Sequence, residues 1–271
     1  MTSRQISARM LPGLVSVTFR GLPLREIVAL AAQARLAGIE WGGDIHVPHG
    51  DLAGAREVAR MTREAGLAVA AYGSYYEVGE SESAGLSFAR VIETARVLGA
   101  PLIRVWAGKR GSADTDTAYR RRVVDESRRI AGEAAGAGIG VAFEFHCGTL
   151  TDSTDSATAL MAATAPAGMR CYWQPPLGWT QAERLASLNR LKPHLANLHV
   201  YHWLDSGERR PLTEGAGPWL AYLRAAAPIA AGGPRWAMLE FVRDDSPARL
   251  SDDAAVLVRL ISQVESEGDA P

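Results

Sequence analysis

A carboxylate and an imidazole close an otherwise apolar run, V-A-F-E-F-H at residues 141–146. The apolar neighbours and a Gly-containing approach over 135–140 predict a short strand buried on both faces, as in a parallel sheet covered by helices. A lone Glu144 is costly to desolvate, so a metal, an arginine or a proton must stand opposite it. From this stretch alone, an ion pair with one of the many arginines and a metal site are both open.

Three later runs end the same way. Y-W-Q-P, L-H-V-Y and L-E-F-V set Gln174, His199 and Glu240 in apolar or aromatic surroundings. Taken singly, each is most simply a hydrogen-bonded core residue; recurrence on consecutive strands is what points to a metal. Two carboxylates, one imidazole and one amide oxygen form a mostly oxygen-donor set, suited first to a single Mn²⁺ or Mg²⁺ and, through the imidazole, compatible with Co²⁺ or Zn²⁺. An ion chelated by a sugar's carbonyl and hydroxyl oxygens would stabilise the enediolate formed when a proton next to the carbonyl leaves. Glu144 and Glu240 would then be the catalytic pair, one removing the proton and the other returning one on the opposite face, which inverts the carbon. Loss of a β-hydroxyl from the same enediolate, with His146 or His202 as acid, would instead make the site a dehydratase.

Eight short apolar runs, each followed by a helical pattern, must position these residues. Strands are predicted over Leu14–Phe19, Ile39–Trp41, Leu67–Tyr72, Pro101–Trp106, 141–146, Met169–Gln174, Leu195–Tyr201 and Trp236–Val242. The helix after the third is read with Leu86, Ala89, Ile92 and Ala95 facing inward. Eight such units in 271 residues match a (β/α)8 TIM barrel, with the chemistry where strands end and loops begin. No Pro/Ser-rich linker interrupts the pattern, so residues 1–271 are expected to form one domain, with a tail fraying over 266–271. A Rossmann fold lacks support, because no G-x-G-x-x-G follows any strand.

Composition removes other classes. The chain is 47% hydrophobic with a net charge of −1, which gives no field favouring nucleic acid. No run approaches the roughly 18 apolar residues of a membrane span, and the N-terminus has no signal-peptide core, so a cytoplasmic location is expected. Two cysteines, Cys147 and Cys171, supply no disulfide framework and agree with a reducing compartment.

The segments F-E-F-H-C-G-T-L-T-D-S, L-H-V-Y-H-W and M-L-E-F-V, with the opening strand–helix unit and G-I-E-W-G-G-D, resemble the sugar phosphate isomerase/epimerase group, whose barrel is xylose isomerase-like and which includes ketose 3-epimerases and inosose dehydratases. The resemblance spans nearly the whole chain on short motifs. It implies one divalent ion held by Glu144, Gln174, His199 and Glu240, and a sugar or keto-sugar isomerase or epimerase. Gln174 departs from the pattern, which has Asp there; His202 stands where an Asp often follows the ligand histidine.

Substrate-binding candidates lie on the predicted strand-to-helix loops: His46, Tyr75, Trp106, Lys109, His146 and His202. Aromatic faces suit the apolar face of a sugar ring, and Lys109 suits a phosphate or carboxylate. A small-molecule carbohydrate is the expected partner, with no nucleic acid and no membrane; a homo-oligomer is left open. Two competing readings are an inosose dehydratase-like lyase acting on a keto-sugar or cyclitol, and a non-catalytic sugar-binding barrel. Apurinic-site endonucleases share the fold, but their larger His and acidic ligand set is not found here.

Overall fold

Strands apolar on both faces need cover on both, and this chain supplies it by closing the sheet on itself and ringing it with helices. In chain order the computed structural model contains β1 (Met10–Val15), α1 (Leu24–Gln33), β2 (Gly38–Gly42), α2 (Leu52–Glu64), β3 (Ala68–Glu77), α3 (Phe88–Leu98), β4 (Leu102–Trp106) and α4 (Thr117–Gly136). The second half continues with β5 (Gly140–Phe143), α5 (Thr154–Thr164), β6 (Met169–Trp173), α6 (Gln181–Leu191), β7 (Leu195–Val200), α7 (Ala216–Ala225), β8 (Arg235–Leu239) and α8 (Pro247–Gly268). All neighbouring strands are parallel, and β8 pairs back onto β1 to close an eight-stranded TIM barrel. The structure describes residues 10–227 and 234–268.

Alternation along the strands sorts the core into two layers. Outward residues such as Ile103, Val105, Val141, Phe143, Cys171 and Trp173 pack against the helices. Inward ones are Ala142, Tyr172, Ala196, Trp236 and Met238, a small cluster that fills the lumen. Two residues beyond Ala142 comes Glu144; two beyond Tyr172 comes Gln174; two beyond Met238 comes Glu240. The period that fills the barrel floor with apolar side chains therefore delivers the polar ones to its C-terminal end.

Several boundaries differ from the sequence expectation for local reasons. β1 begins at Met10 and gives way to a 3-10 turn over Ser16–Phe19, where a strand was expected to Phe19. Pro12 and Gly13 disguise this start. Glycine at 13 and 38, which pair across β1 and β2, leaves space that the Trp236 indole occupies. On α3 the buried face is Phe88, Val91, Thr94, Ala95 and Leu98, whereas Ala89 is exposed, because the bulkier side chains take the inner positions. α8 extends through Gly268, so 266–268 of the expected tail are helical; 269–271 lie outside the described residues.

The packing of Trp236 gives a direct test. A Cβ on Gly38 would sit 2.6 Å from the Ala68 carbonyl oxygen and 2.7 Å from the indole. Because the first of these is backbone, Gly38→Ala is expected to lower unfolding free energy by about 1–3 kcal/mol, measured by urea denaturation; an unchanged midpoint would refute this account of the β1–β2 pair.

Candidate active site

Six polar residues gather towards the C-terminal end of the lumen: Glu40, Arg104, Glu144, Gln174, His199 and Glu240, all of them buried. Arg104 organises them. Its Nε donates to Glu40 Oε1 at 2.7 Å and its Nη1 to Glu144 Oε2, while the guanidinium lies 4.9 Å from the centre of the Tyr75 ring. Gly73 is what admits this arrangement, since a Cβ there would fall 2.7 Å from Arg104 Nη2 and 2.8 Å from Glu40 Oε1. The ion pair allowed by the first reading of Glu144 is therefore real, and its partner comes from β4.

The pair does not consume the whole carboxylate. Glu144 Oε2 takes Arg104 and, at 2.6 Å, the indole N–H of Trp106. Glu144 Oε1 faces the other way, 3.2 Å from His199 Nδ1, and Glu240 Oε2 stands 3.2 Å from the same nitrogen. The donor atoms of Glu144, His199 and Glu240 all lie within 4.8 Å of one another. Both His199 nitrogens are buried without a well-formed hydrogen bond. A ring nitrogen flanked by two carboxylate oxygens and lacking a proper partner fits a divalent cation, so these three residues could hold one.

On the far side, His199 Nε2 is 3.5 Å from Glu40 Oε1. A carboxylate there favours the Nε2–H tautomer and leaves the Nδ1 lone pair for an ion, as second-layer carboxylates do at metal-bound histidines. Gln174 places its amide nitrogen 2.9 Å from the Phe145 carbonyl oxygen and 3.3 Å from Glu144 Oε1. Its NH₂ group thus braces Glu144, and the amide oxygen is the arm left to meet a ligand.

Electrostatics follow from burial and these contacts. For Glu144, burial disfavours the charge, but Arg104 and then His199 outweigh it and hold the carboxyl well below the usual range. The same contest leaves Glu40 lowered. Burial alone would depress His199, yet Glu240 and Glu40, with the Glu144 contact added, raise it well above an ordinary imidazole.

Above this floor opens a cavity of about 440 Å³. Tyr75, Trp106 and His146 line one side, with Tyr75–Trp106 centroids 5.4 Å apart and Trp106 stacked on His146 at 4.9 Å. Across the barrel, Tyr201, Trp203 and Phe241 follow β7 and β8, with successive centroids 5.0 and 5.7 Å apart. Two wall residues have left-handed backbone, Tyr75 at φ 55° and Phe241 at φ 61°, which bulky side chains rarely adopt. Tyr75 reaches it because β3 loops out Ser74 and Tyr75 between Gly73 and Tyr76 against consecutive β4 residues, a bulge that re-aims the tyrosine into the mouth. Phe241 is steadied by its N–H donating to Thr18 Oγ1 at 3.1 Å.

The structure therefore gathers Glu144, Gln174, His199 and Glu240 at the floor and Tyr75, Trp106 and His146 in the wall. The other sequence candidates lie outside the cavity lining. His46 shares a 2.8 Å hydrogen bond with Ser16 and packs on Trp41; Lys109 is exposed, 3.7 Å from Glu77; His202 packs against Gly215. Sequence reasoning left Arg104 and the role of Glu40 unassigned, although each is a charged residue inside an apolar strand and alternation places both inward.

A family model for xylose isomerase-like TIM barrels matches residues 28–260, most of the chain. The chain belongs to that family. Among solved structures of similar fold is the probable 3-DHS dehydratase AsbF from Bacillus anthracis, at 19% identity and TM-score 0.76, with 93% of this chain and 98% of that one covered. Another is a D-allulose 3-epimerase from Methylomonas sp., at 15% identity and TM-score 0.66, covering 95% and 98%. A xylose isomerase-like TIM barrel protein from Mycobacterium smegmatis, solved with magnesium, gives 13% identity and TM-score 0.67 over 97% and 99%. Identities this low speak for the fold alone. No curated protein matches the sequence, and no described helix is long and apolar enough to cross a membrane.

The raised His199 makes metal uptake pH-dependent with a defined sign. Because Glu240 and Glu40 make the imidazole hold its proton more tightly than an ordinary histidine does, an ion binding Nδ1 must compete with a proton. Mn²⁺ titration of chelator-treated protein is expected to release about one proton per ion and to tighten from about pH 6 to about pH 8. Calorimetry in buffers of different ionisation enthalpy measures this; uptake without proton release would remove His199 as a ligand.

Proposed function

We propose that the protein is a divalent-metal-dependent sugar or keto-sugar isomerase or epimerase that works by removing a proton next to a carbonyl. The observation that carries this is the Glu144, His199, Glu240 donor cluster at the base of a cavity that Glu144 and Glu240 themselves line. Mn²⁺ or Mg²⁺ suits a donor set with two carboxylates and, if the side chain turns its oxygen inward, the Gln174 amide. Such an ion supplies Lewis-acid stabilisation of negative charge on the substrate oxygens.

The chain's own residues divide the remaining work. Glu144 is fixed through Oε2 by Arg104 and Trp106 and keeps Oε1 towards the cluster, an arrangement that favours orientation of the site. Among the described contacts, Glu240 has no arginine on it; His199 is its ionic neighbour. That freedom suits it to take the substrate proton and, after exchange with solvent, to return one, whereas return on the opposite face requires Glu144 first to take up a proton from solvent. Aromatic walls exclude water from the enediolate while it lasts. His146 supports dehydration as the second outcome: its Nδ1 contacts the Cys147 carbonyl oxygen at 2.6 Å, leaving Nε2 as the nitrogen able to serve a departing hydroxyl in the cavity.

Two variants test the assignment. With metal-loaded protein and a panel of keto-sugars and cyclitols in deuterated water, NMR should show exchange of a substrate C–H. Glu240→Gln should reduce that exchange by roughly 10²-fold or more with circular dichroism unchanged, and full exchange in this variant would remove Glu240 as the base. The same spectra separate an epimer from an alkene.

Gln174→Asp adds a negative charge and deletes the amide donor that braces Glu144. Metal affinity should rise by about tenfold or more, as expected for a third carboxylate at an oxygen-donor site, with turnover altered. Titration calorimetry of both forms reads this directly; equal affinities would take Gln174 out of the ion's coordination.

A further inference from the structure

The cavity is larger than one sugar ring fills, and its upper part is built for something other than hydroxyl groups or phosphate. Its volume of about 440 Å³ falls in the range of sites for drug-sized ligands. Polar atoms concentrate at the floor, while the space above lies between the Tyr75–Trp106 wall and the Trp203–Phe241 wall. At the rim, Leu177 is 39% exposed, one of three large hydrophobic side chains singled out by exposure among the described residues.

The charges around this space disfavour an anion. Arg20 is the one guanidinium in the lining, and it is committed to Asp44 and, at 3.0 Å, to the Tyr75 hydroxyl. Arg209, stacked 4.4 Å from the centre of Phe241, is paired with Asp245. Arg104 is locked beneath by Glu40 and Glu144. The lining also carries Asp152, whose Oδ1 is buried without a hydrogen-bond partner. A phosphate or carboxylate would meet no uncommitted arginine in the lining, while Asp152 and Glu240 have no arginine on them among the described ion pairs.

We propose that the site takes a neutral polyhydroxy ring bearing an apolar, planar substituent, with the ring over the Glu144–Glu240 floor and the substituent between the aromatic walls. This rests on the floor being the sugar-handling end, as in the function proposed above. Stacking between aromatic faces supplies the affinity, and the carboxylate-rich lining supplies discrimination against phosphorylated sugars.

Binding, not turnover, tests it. Metal-loaded protein is titrated calorimetrically with matched methyl and phenyl β-D-glycosides of glucose, galactose and xylose, and with glucose 6-phosphate and galactose 6-phosphate. At least one phenyl glycoside should bind about tenfold or more tightly than its methyl partner, with both phosphates weaker than the methyl glycosides. In Leu177→Ala at the rim and Trp203→Ala in the wall the phenyl-over-methyl ratio should fall severalfold with metal uptake at the wild-type level. No phenyl preference in any pair, including no binding at all at millimolar ligand, overturns the proposal, as does a phosphate that binds most tightly. Deuterium exchange reports separately on the proposed reaction: lost exchange with a retained phenyl preference would overturn the enolisation chemistry and leave this binding mode standing.

Discussion

Burying like charges in the mouth of a barrel is the constraint from which the site follows. Three glutamates converge near His199, and without a cation among them the fold would carry uncompensated negative charge in a low-dielectric interior. Arg104 answers part of this from β4. It neutralises Glu40 and one oxygen of Glu144 and stops there, so the remaining oxygen of Glu144, the whole of Glu240 and the Nδ1 side of the buried imidazole stay electrostatically unsatisfied. The residual deficit sits where a divalent ion fits. The ion pair and a metal, which looked like rival explanations of Glu144 in the sequence, are compatible: the pair takes one oxygen of the carboxylate and leaves the other free for an ion.

How legible this was depended on what kind of signal each part carries. The barrel could be read because apolar runs and helical periods recur eight times, and Glu144, Gln174, His199 and Glu240 stood out as polar residues at the ends of such runs. Arg104 lies in L-I-R-V-W and Glu40 in G-I-E-W, so the same rule pointed to them as well. Counting alternate residues inward would have found both. The aromatic wall of Tyr201, Trp203 and Phe241 had no comparable mark, since loop residues follow no period and their convergence depends on turn geometry. The bulge that aims Tyr75 is likewise invisible, because it arises from mismatched strand lengths across β3 and β4. His46, Lys109 and His202 show the converse: the right side-chain chemistry near the right strand ends, directed away from the cavity by local packing with Ser16, Glu77 and Gly215.

Floor and walls thus answer to different parts of the chain. The floor is made by strands, whose register is fixed by eight parallel pairings and by glycines where Trp236 and Arg104 approach the backbone. The walls are made by the bulged end of β3, the last residue of β4 and the loops after β5, β7 and β8. Tyr75 and Trp106 also touch the ionic layer, through Arg104 and Glu144, whereas Tyr201 and Trp203 shape the mouth from loop positions that can change more freely.

The left-handed backbone at Tyr75 and Phe241 sets these two demands against each other. Glycine at either position would relieve the backbone strain, and selection for thermal stability alone would favour it. It would also erase one aromatic face from each side of the mouth and, at position 241, loosen the residue next to Glu240. With a tyrosine and a phenylalanine there, the molecule operates below its attainable stability. Variants chosen only for heat resistance should drift towards an open, solvated mouth over an intact charge layer: a hardier scaffold with poorer discrimination.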